Sequence, residues 1–188
     1  MTGFRIVGSN RVADAGFLAI DEVVVEDEGH ETFTRMVVRH PGAVVMVPVV
    51  DPDHALLVRQ FRAATGGELL EVPAGKRDVD GEAPEQTARR ELAEEIGLRP
   101  ARLVKLAEFW NSPGFCDEYT HLFAAFDLGA TDEGEPATHE EAAMTTEKVA
   151  FADVDALIAR RELVDAKSII GLLLTRRLLA GEYEGMAH

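Results

Sequence analysis

The sequence predicts an α/β protein, an α/β/α sandwich with a mixed sheet between helices, together with a small N-terminal antiparallel sheet. Two observations support this prediction. Segments with strand character come first, one helix-like segment interrupts them, and further strands and two helix-like segments follow, which is the order of a layered α/β fold. The 188 residues suffice for one domain with a sizeable core and a small accessory sheet.

Residues 1–40 are predicted to form the separate N-terminal sheet. Its strands are "FRIVGSNRVAD", "FLAIDEVVV" and "TFTRMVVRH", and the polar turn "EDEGHE" separates the last two. Residues 41–188 are predicted to form the main domain. It opens with "AVVMVPVV" and "ALLVRQF", which the turn "DPDH" joins into a hairpin, and continues with the short strand "LLEVPAG".

The stretch "GEAPEQTARRELAEEIGL" predicts a helix from Pro84 to Ile96. Pro84 suits the first turn because its missing N–H is not needed there, and Gly97, followed by Pro100, suits a C-terminal stop. Helical spacing places an apolar stripe on one side, which faces a core. The stripe consists of Ala88, Leu92, Ala93 and Ile96.

Strands and helices alternate in the rest of the chain. "RLVKLAEFW" and "YTHLFAAFDL" read as strands on either side of "NSPGFCDE", and another strand is predicted near "TTEKVAF". Helices are predicted at about 153–161 and 165–180. The second contains leucines and isoleucines at helical spacing, which indicates a helix that packs on the core.

Three glutamates of the first helix, Glu91, Glu94 and Glu95, project together beside the apolar stripe. Like charges three or four residues apart repel by about 0.2–0.5 kcal/mol per pair, so a positive group is expected opposite them. Arg90 can lean toward Glu94 or reach back to Glu82, but one guanidinium does not neutralise the group. A hard divalent cation would, and Mg²⁺ is the usual ion where phosphate is the substrate.

Charge alone leaves two interpretations of this acidic cluster. It is a solvated acidic face, since the chain has 34 acidic against 19 basic residues, or it is a metal site. In a metal site Glu91 and Glu95, one turn apart, are the expected ligands. Glu94 is then a third carboxylate, either a direct ligand or bonded through water.

The spacing around the cluster favours the metal site. Gly75 is followed by six residues, Glu82, seven residues and then "RELAEEIGL", residues 90–98. This pattern closely resembles the Nudix box, G-x5-E-x7-R-E-U-x-E-E-x-G-U with U aliphatic. The one departure is a sixth residue between Gly75 and Glu82, within the loop "GKRDVDGE". The fold that this resemblance implies is the sandwich predicted above.

The Nudix resemblance implies hydrolysis of a nucleoside diphosphate linked to another group, with water attacking a phosphorus of the pyrophosphate. It implies a divalent cation, Mg²⁺ or alternatively Mn²⁺, and a backbone carbonyl ligand from Ala74. Glu82 and Arg90 are expected to form an ion pair that fixes the loop to the helix. They are therefore predicted, with Gly75 and Gly97, to have structural roles in the motif.

Motifs outside the box resemble the ADP-ribose pyrophosphatase branch of the family, over about residues 35–175. "SPGFCDE" places Pro113 fifteen residues after Leu98, and "LLVRQFR" and "LLEVPAGK" are also similar to that branch. The resemblance implies hydrolysis of ADP-ribose to AMP and ribose 5-phosphate, and a homodimer in which the N-terminal sheet completes the partner's site.

Substrate contacts are predicted from these motifs. Arg62 is expected to bind a phosphate, because a guanidinium can donate two hydrogen bonds to a pair of pyrophosphate oxygens. The other predicted substrate-binding residues are Arg59, Arg39, Glu71, Pro113 and Gly114.

The residue that activates water need not lie in the box. In the ADP-ribose pyrophosphatase branch it lies on a later mobile loop, and the matching segment is "EGEPATHEEAAMTTE", which its glycine, proline and clustered acids predict to be flexible. Glu140 or Glu141 is the expected base, and Glu94 or Glu118 is next if neither acts. The alternative is a merely solvated acidic loop. His139, beside these glutamates, is expected to be a surface residue rather than a ligand.

Global properties exclude several classes of function. A net charge of −15 argues against binding to nucleic acid, and the run "AVVMVPVV" is too short to span a membrane. The single Cys116 and the lack of a charged-then-apolar leader predict a cytoplasmic protein. Two functions stay open beside ADP-ribose hydrolysis: Nudix hydrolysis of another nucleoside diphosphate sugar, a dinucleoside polyphosphate or a damaged nucleotide, and non-catalytic nucleotide sensing.

Overall fold

The protein is described by a computed structural model that covers residues 3–134 and 138–186. The chain divides into two compact units. The first draws on residues up to 43 and on 109–120, and the second consists of residues 44–108 and 121–188. Among the described residues, no helix is long and apolar enough to cross a membrane.

The first unit contains a three-stranded antiparallel sheet, as predicted. Its strands are β1 (Arg5–Ala15), β2 (Leu18–Glu26) and β3 (Thr32–Arg39), which pair in that order. Gly16 has a positive φ of 63° in the turn between β1 and β2, a conformation that glycine adopts without strain. Asp27 closes the next turn, because its carboxylate accepts the backbone N–H groups of Gly29 and Glu31.

The larger sheet is mixed and has seven strands. They are β4 (Ala43–Asp51), β5 (His54–Arg62), β6 (Gly67–Glu71), β7 (Ala74–Lys76), β8 (Leu98–Trp110), β9 (Tyr119–Ala130) and β10 (Thr145–Ala150). Five of them lie in the order β10-β5-β4-β9-β8, while β6 pairs with β5 and β7 pairs with β4.

Four helices accompany this sheet in the described residues: α1 (Pro84–Ile96), α2 (His139–Ala142), α3 (Val154–Ala159) and α4 (Ala166–Leu179). The bounds of α1 are those predicted, and Gly97 ends it in the left-handed conformation. Side chains of a strand alternate between the two faces of a sheet. Met46 of β4 therefore joins Leu92 of α1 in one core, while its neighbour Val47 meets Gly171 of α4 on the other face. The result is the predicted sandwich.

One local prediction was wrong. "LLEVPAG" is not one strand but two, β6 and β7, because Pro73 has no N–H to donate to a ladder and the chain changes partner there. The segment predicted to be a flexible loop, residues 133–147, contains the short helix α2 and runs into β10, while residues 135–137 lie outside the described residues, so its flexibility stays a prediction. At the start of α2 the Thr138 N–H donates to Glu141 Oε2, and the Glu141 N–H donates to Thr138 Oγ1.

Candidate active site

Two glutamates of helix α1, Glu91 and Glu95, lie close to the backbone at the start of β7. The N–H of Ala74 donates to Glu95 Oε2 at 3.2 Å. Gly75 lies so close to Glu91 that a Cβ built on the glycine would be 1.9 Å from the carboxylate carbon. Both carboxylates therefore lie against the backbone of residues 74 and 75.

Both carboxylates are hard to ionise as they stand. Burial and the Glu94 charge together raise the pKa of Glu91 to about 7, against the opposing charge of Arg90. Burial also raises the pKa of Glu95 to about 8, and the negative charges of Glu91 and Glu141 add to the effect. Such a pair of oxygen-donor groups fits a hard divalent cation, which would stabilise both as carboxylates.

Arg90 is the only guanidinium among the described residues that contacts three box glutamates. Its Nη1 lies 2.9 Å from Glu91 and 3.0 Å from Glu94, and its Nη2 lies 3.3 Å from Glu82. The expected Glu82–Arg90 ion pair is thus present, across the lengthened loop. Within residues 3–134 and 138–186, no three acidic, histidine or cysteine side chains are arranged to hold an ion. The metal roles of Ala74, Glu91, Glu94 and Glu95 stay predictions.

Arg62 and Glu71, two predicted substrate-binding residues, contact each other. Arg62 donates from Nε and Nη2 to the two Glu71 oxygens, at 2.8 and 2.7 Å. Glu71 is 1% exposed. Burial opposes its ionisation, but the hydrogen bonds and charges of Arg62 and Lys167 outweigh that effect and hold its pKa below the usual value. Sequence reasoning missed Lys167, although "DAKS" places a lysine and two further polar residues at the start of α4.

The remaining predicted arginines also have acidic partners. Arg59 Nε donates to Glu147 Oε2 at 2.9 Å, which ties β5 to β10. Arg39 belongs to the first unit, where it pairs with Asp21 at 2.8 Å and Asp117 at 2.9 Å. Pro113 and Gly114 are exposed residues of that same unit. The substrate contacts assigned to these residues stay predictions.

The residues predicted to activate water lie in different parts of the structure, and not all of their side chains are described. Helix α2, which includes Glu141, packs against β5, and the Glu141 charge acts on Glu95. The side chain of Glu140 lies outside the described residues. Glu118 lies in the first unit, 3.9 Å from His40 Nε2. His139 is exposed, as predicted. Of the two base candidates on the later loop, Glu141 is thus the one whose side chain the structure describes.

Replacing Gly75 by alanine is expected to lower kcat/KM about a hundredfold, since a Cβ cannot fit beside Glu91 unless groups of the site move by about 1 Å. Gly67→Ala is the matched control, because nothing lies within 4 Å of a Cβ there. Steady-state kinetics of both variants, with thermal unfolding to verify folding, make the comparison. Activity of Gly75→Ala within threefold of wild type would contradict the close approach.

Comparison with known proteins gives three findings. The family model of the NUDIX domain matches residues 39–170. The ADP-ribose pyrophosphatase of Bacillus subtilis (strain 168) is 40% identical over 134 residues, 71% of each chain, and that of Mycobacterium tuberculosis is 35% identical over 179 residues, 95% of this chain and 86% of its own. A crystal structure of an ADP compounds hydrolase superposes with a TM-score of 0.85 at 24% identity, covering 97% of both chains, which shows the shared fold.

Proposed function

The chain belongs to the Nudix family of pyrophosphohydrolases, and we propose that it hydrolyses the pyrophosphate bond of ADP-ribose, with Mg²⁺, to AMP and ribose 5-phosphate. The observation that carries the proposal is the pair Glu91 and Glu95, one turn apart on α1 and against the backbone of residues 74 and 75. The ADP-ribose pyrophosphatases found among the relatives support the choice of substrate.

In this proposal the acidic residues of α1 bind the cation and Glu141 activates the attacking water. Glu91 and Glu95, with Glu94 and the Ala74 carbonyl, would hold the cation, Mg²⁺ or Mn²⁺. When bound, the cation offsets negative charge on the phosphate oxygens in the transition state. Glu141 accepts the proton of the attacking water, whose oxygen bonds to phosphorus as the bridging oxygen leaves with the other phosphate.

We further propose that residues 1–40 contribute to a homodimer and that the enzyme acts in the cytoplasm. The strand β1 supports the dimer, because it is an edge strand whose apolar side chains are exposed. The most exposed of these are Ile6 and Val12.

ADP-ribose is expected to give the highest kcat/KM in a panel of nucleotides assayed with Mg²⁺, scored by release of AMP and ribose 5-phosphate. The panel includes other nucleoside diphosphate sugars, a dinucleoside polyphosphate and nucleoside triphosphates, and EDTA should abolish all turnover. A competing substrate with a tenfold higher kcat/KM, about 1.4 kcal/mol of transition-state binding, would reassign the specificity.

The non-catalytic sensor is disfavoured by the same residues. A sensor derived from this family would be expected to lose box carboxylates, whereas Glu82, Glu91, Glu94 and Glu95 are all present.

A further inference from the structure

Ser168, near the start of α4, is hydrogen-bonded to the backbone of Val72, just after β6 ends. Its hydroxyl is fully buried and accepts the Val72 N–H at 2.9 Å. The same hydroxyl donates to Asp165, the residue that caps α4 by accepting the Ser168 N–H at 3.0 Å. Because donor and acceptor are both engaged, the orientation of the hydroxyl is fixed.

Lys167 makes a second connection between the same two parts of the chain. Its ammonium contacts Glu71 Oε2 and lies 2.8 Å from Asp165 Oδ2. The Glu71 carboxylate thus lies between Lys167 and the fork of Arg62. A buried carboxylate needs such partners, since one left unpaired in the interior is costly.

These contacts continue along residues 71–74, which we call the hinge segment. The Pro73 carbonyl accepts the Met46 N–H at 2.9 Å, and the Ala74 N–H donates to Glu95. The four residues are therefore fixed one after another by groups from different elements. The need for Ser168 follows from the strand break, because a buried N–H such as that of Val72 requires an acceptor.

We propose that Asp165, Lys167 and Ser168, here called the α4 brace, position the hinge segment for metal binding and catalysis. The brace fixes Glu71 and Val72, which precede Ala74 by three and two residues, and Glu71 is the partner of Arg62. This inference rests on the proposed function, because it assigns the brace a role at the acidic cluster. A brace that only stabilised the fold would affect unfolding and leave metal binding unchanged.

The test compares variants of the brace with a core variant of the same helix. Ser168→Ala removes the acceptor of the Val72 amide, and Lys167→Met removes the cation beside Glu71. Lys167→Arg is the conservative variant. Leu172→Ala is the matched control. Leu172 is fully buried one turn further along α4, and its replacement by alanine creates a cavity away from the brace.

Two readouts need no substrate. Binding of Mn²⁺ alone is followed by electron paramagnetic resonance, and amide hydrogen exchange of Val72 and Ala74 is followed in the metal-free protein. Ser168→Ala and Lys167→Met should weaken Mn²⁺ binding about 10- to 100-fold, the range for residues that orient metal ligands, and accelerate both exchange rates. Lys167→Arg should recover most of the affinity. Leu172→Ala should lower Tm yet leave the Mn²⁺ affinity within twofold.

Wild-type Mn²⁺ affinity in both Ser168→Ala and Lys167→Met would overturn the inference, as would equal weakening in Leu172→Ala. If Ser168→Ala fails to fold, Lys167→Met decides alone, because its side chain is partly exposed. A wild-type protein that binds Mn²⁺ but hydrolyses no nucleotide would refute the proposed function, while the affinities of the variants still decide the role of the brace.

Discussion

Replacing Glu95 by glutamine is expected to lower kcat on ADP-ribose at least about 10³-fold, equivalent to about 4 kcal/mol of transition-state stabilisation. The substitution keeps the shape of the side chain and removes the charge that would bind the cation. The fold should persist, because burial and the nearby Glu91 charge already raise the pKa of Glu95, and a neutral amide removes the repulsion between the two side chains. Steady-state kinetics with saturating Mg²⁺ and thermal unfolding provide the measurements.

Glu85→Gln is the matched control for this variant. Glu85 lies in the first turn of the same helix, so the control makes the same chemical change at the other end of α1. It should retain wild-type kcat. Near-normal turnover in Glu95→Gln, or full activity in EDTA, would remove Glu95 from the metal site.

The sequence predicted α1 and its acidic face well because the signals are local. Pro84 and Gly97 act on the backbone next to them, and a 3.6-residue period determines which side chains share a face. The Glu82–Arg90 ion pair could be predicted for the same reason, because both residues belong to the motif. Local signals of this kind need no knowledge of the rest of the fold.

The partners of buried charges were not predictable in the same way. The phosphate contact of Arg62 stays a prediction, but its hydrogen bonds to Glu71 were not predicted, nor was the contact of Lys167 with the same carboxylate from 96 residues away along the chain. Which cation meets which carboxylate depends on how the strands and α4 pack. The division of "LLEVPAG" into two strands has the same origin, because Pro73 permits a break but does not say which strands its neighbours join.

The location of Glu141 favours it as the residue that activates water. Helix α2 packs against β5, and the Glu141 charge adds to the burial and the Glu91 charge that raise the pKa of Glu95. Its Oε2 accepts the Thr138 N–H at 3.2 Å, an exposed bond whose loss costs about 1 kcal/mol. Release of that bond would let the carboxylate turn toward the acidic cluster once substrate is bound.

Glu141→Gln is therefore expected to lower kcat about 10²- to 10⁴-fold while KM changes little, because a base interacts mainly in the transition state. Glu140→Gln makes the same chemical change one position earlier, so it is the matched control, and we expect it to keep wild-type kcat. Steady-state kinetics on ADP-ribose, with Mn²⁺ binding as a check that the metal site is intact, separate the two variants. If both single variants and the double variant keep wild-type kcat, the base lies elsewhere, and Glu94 is the next residue to replace.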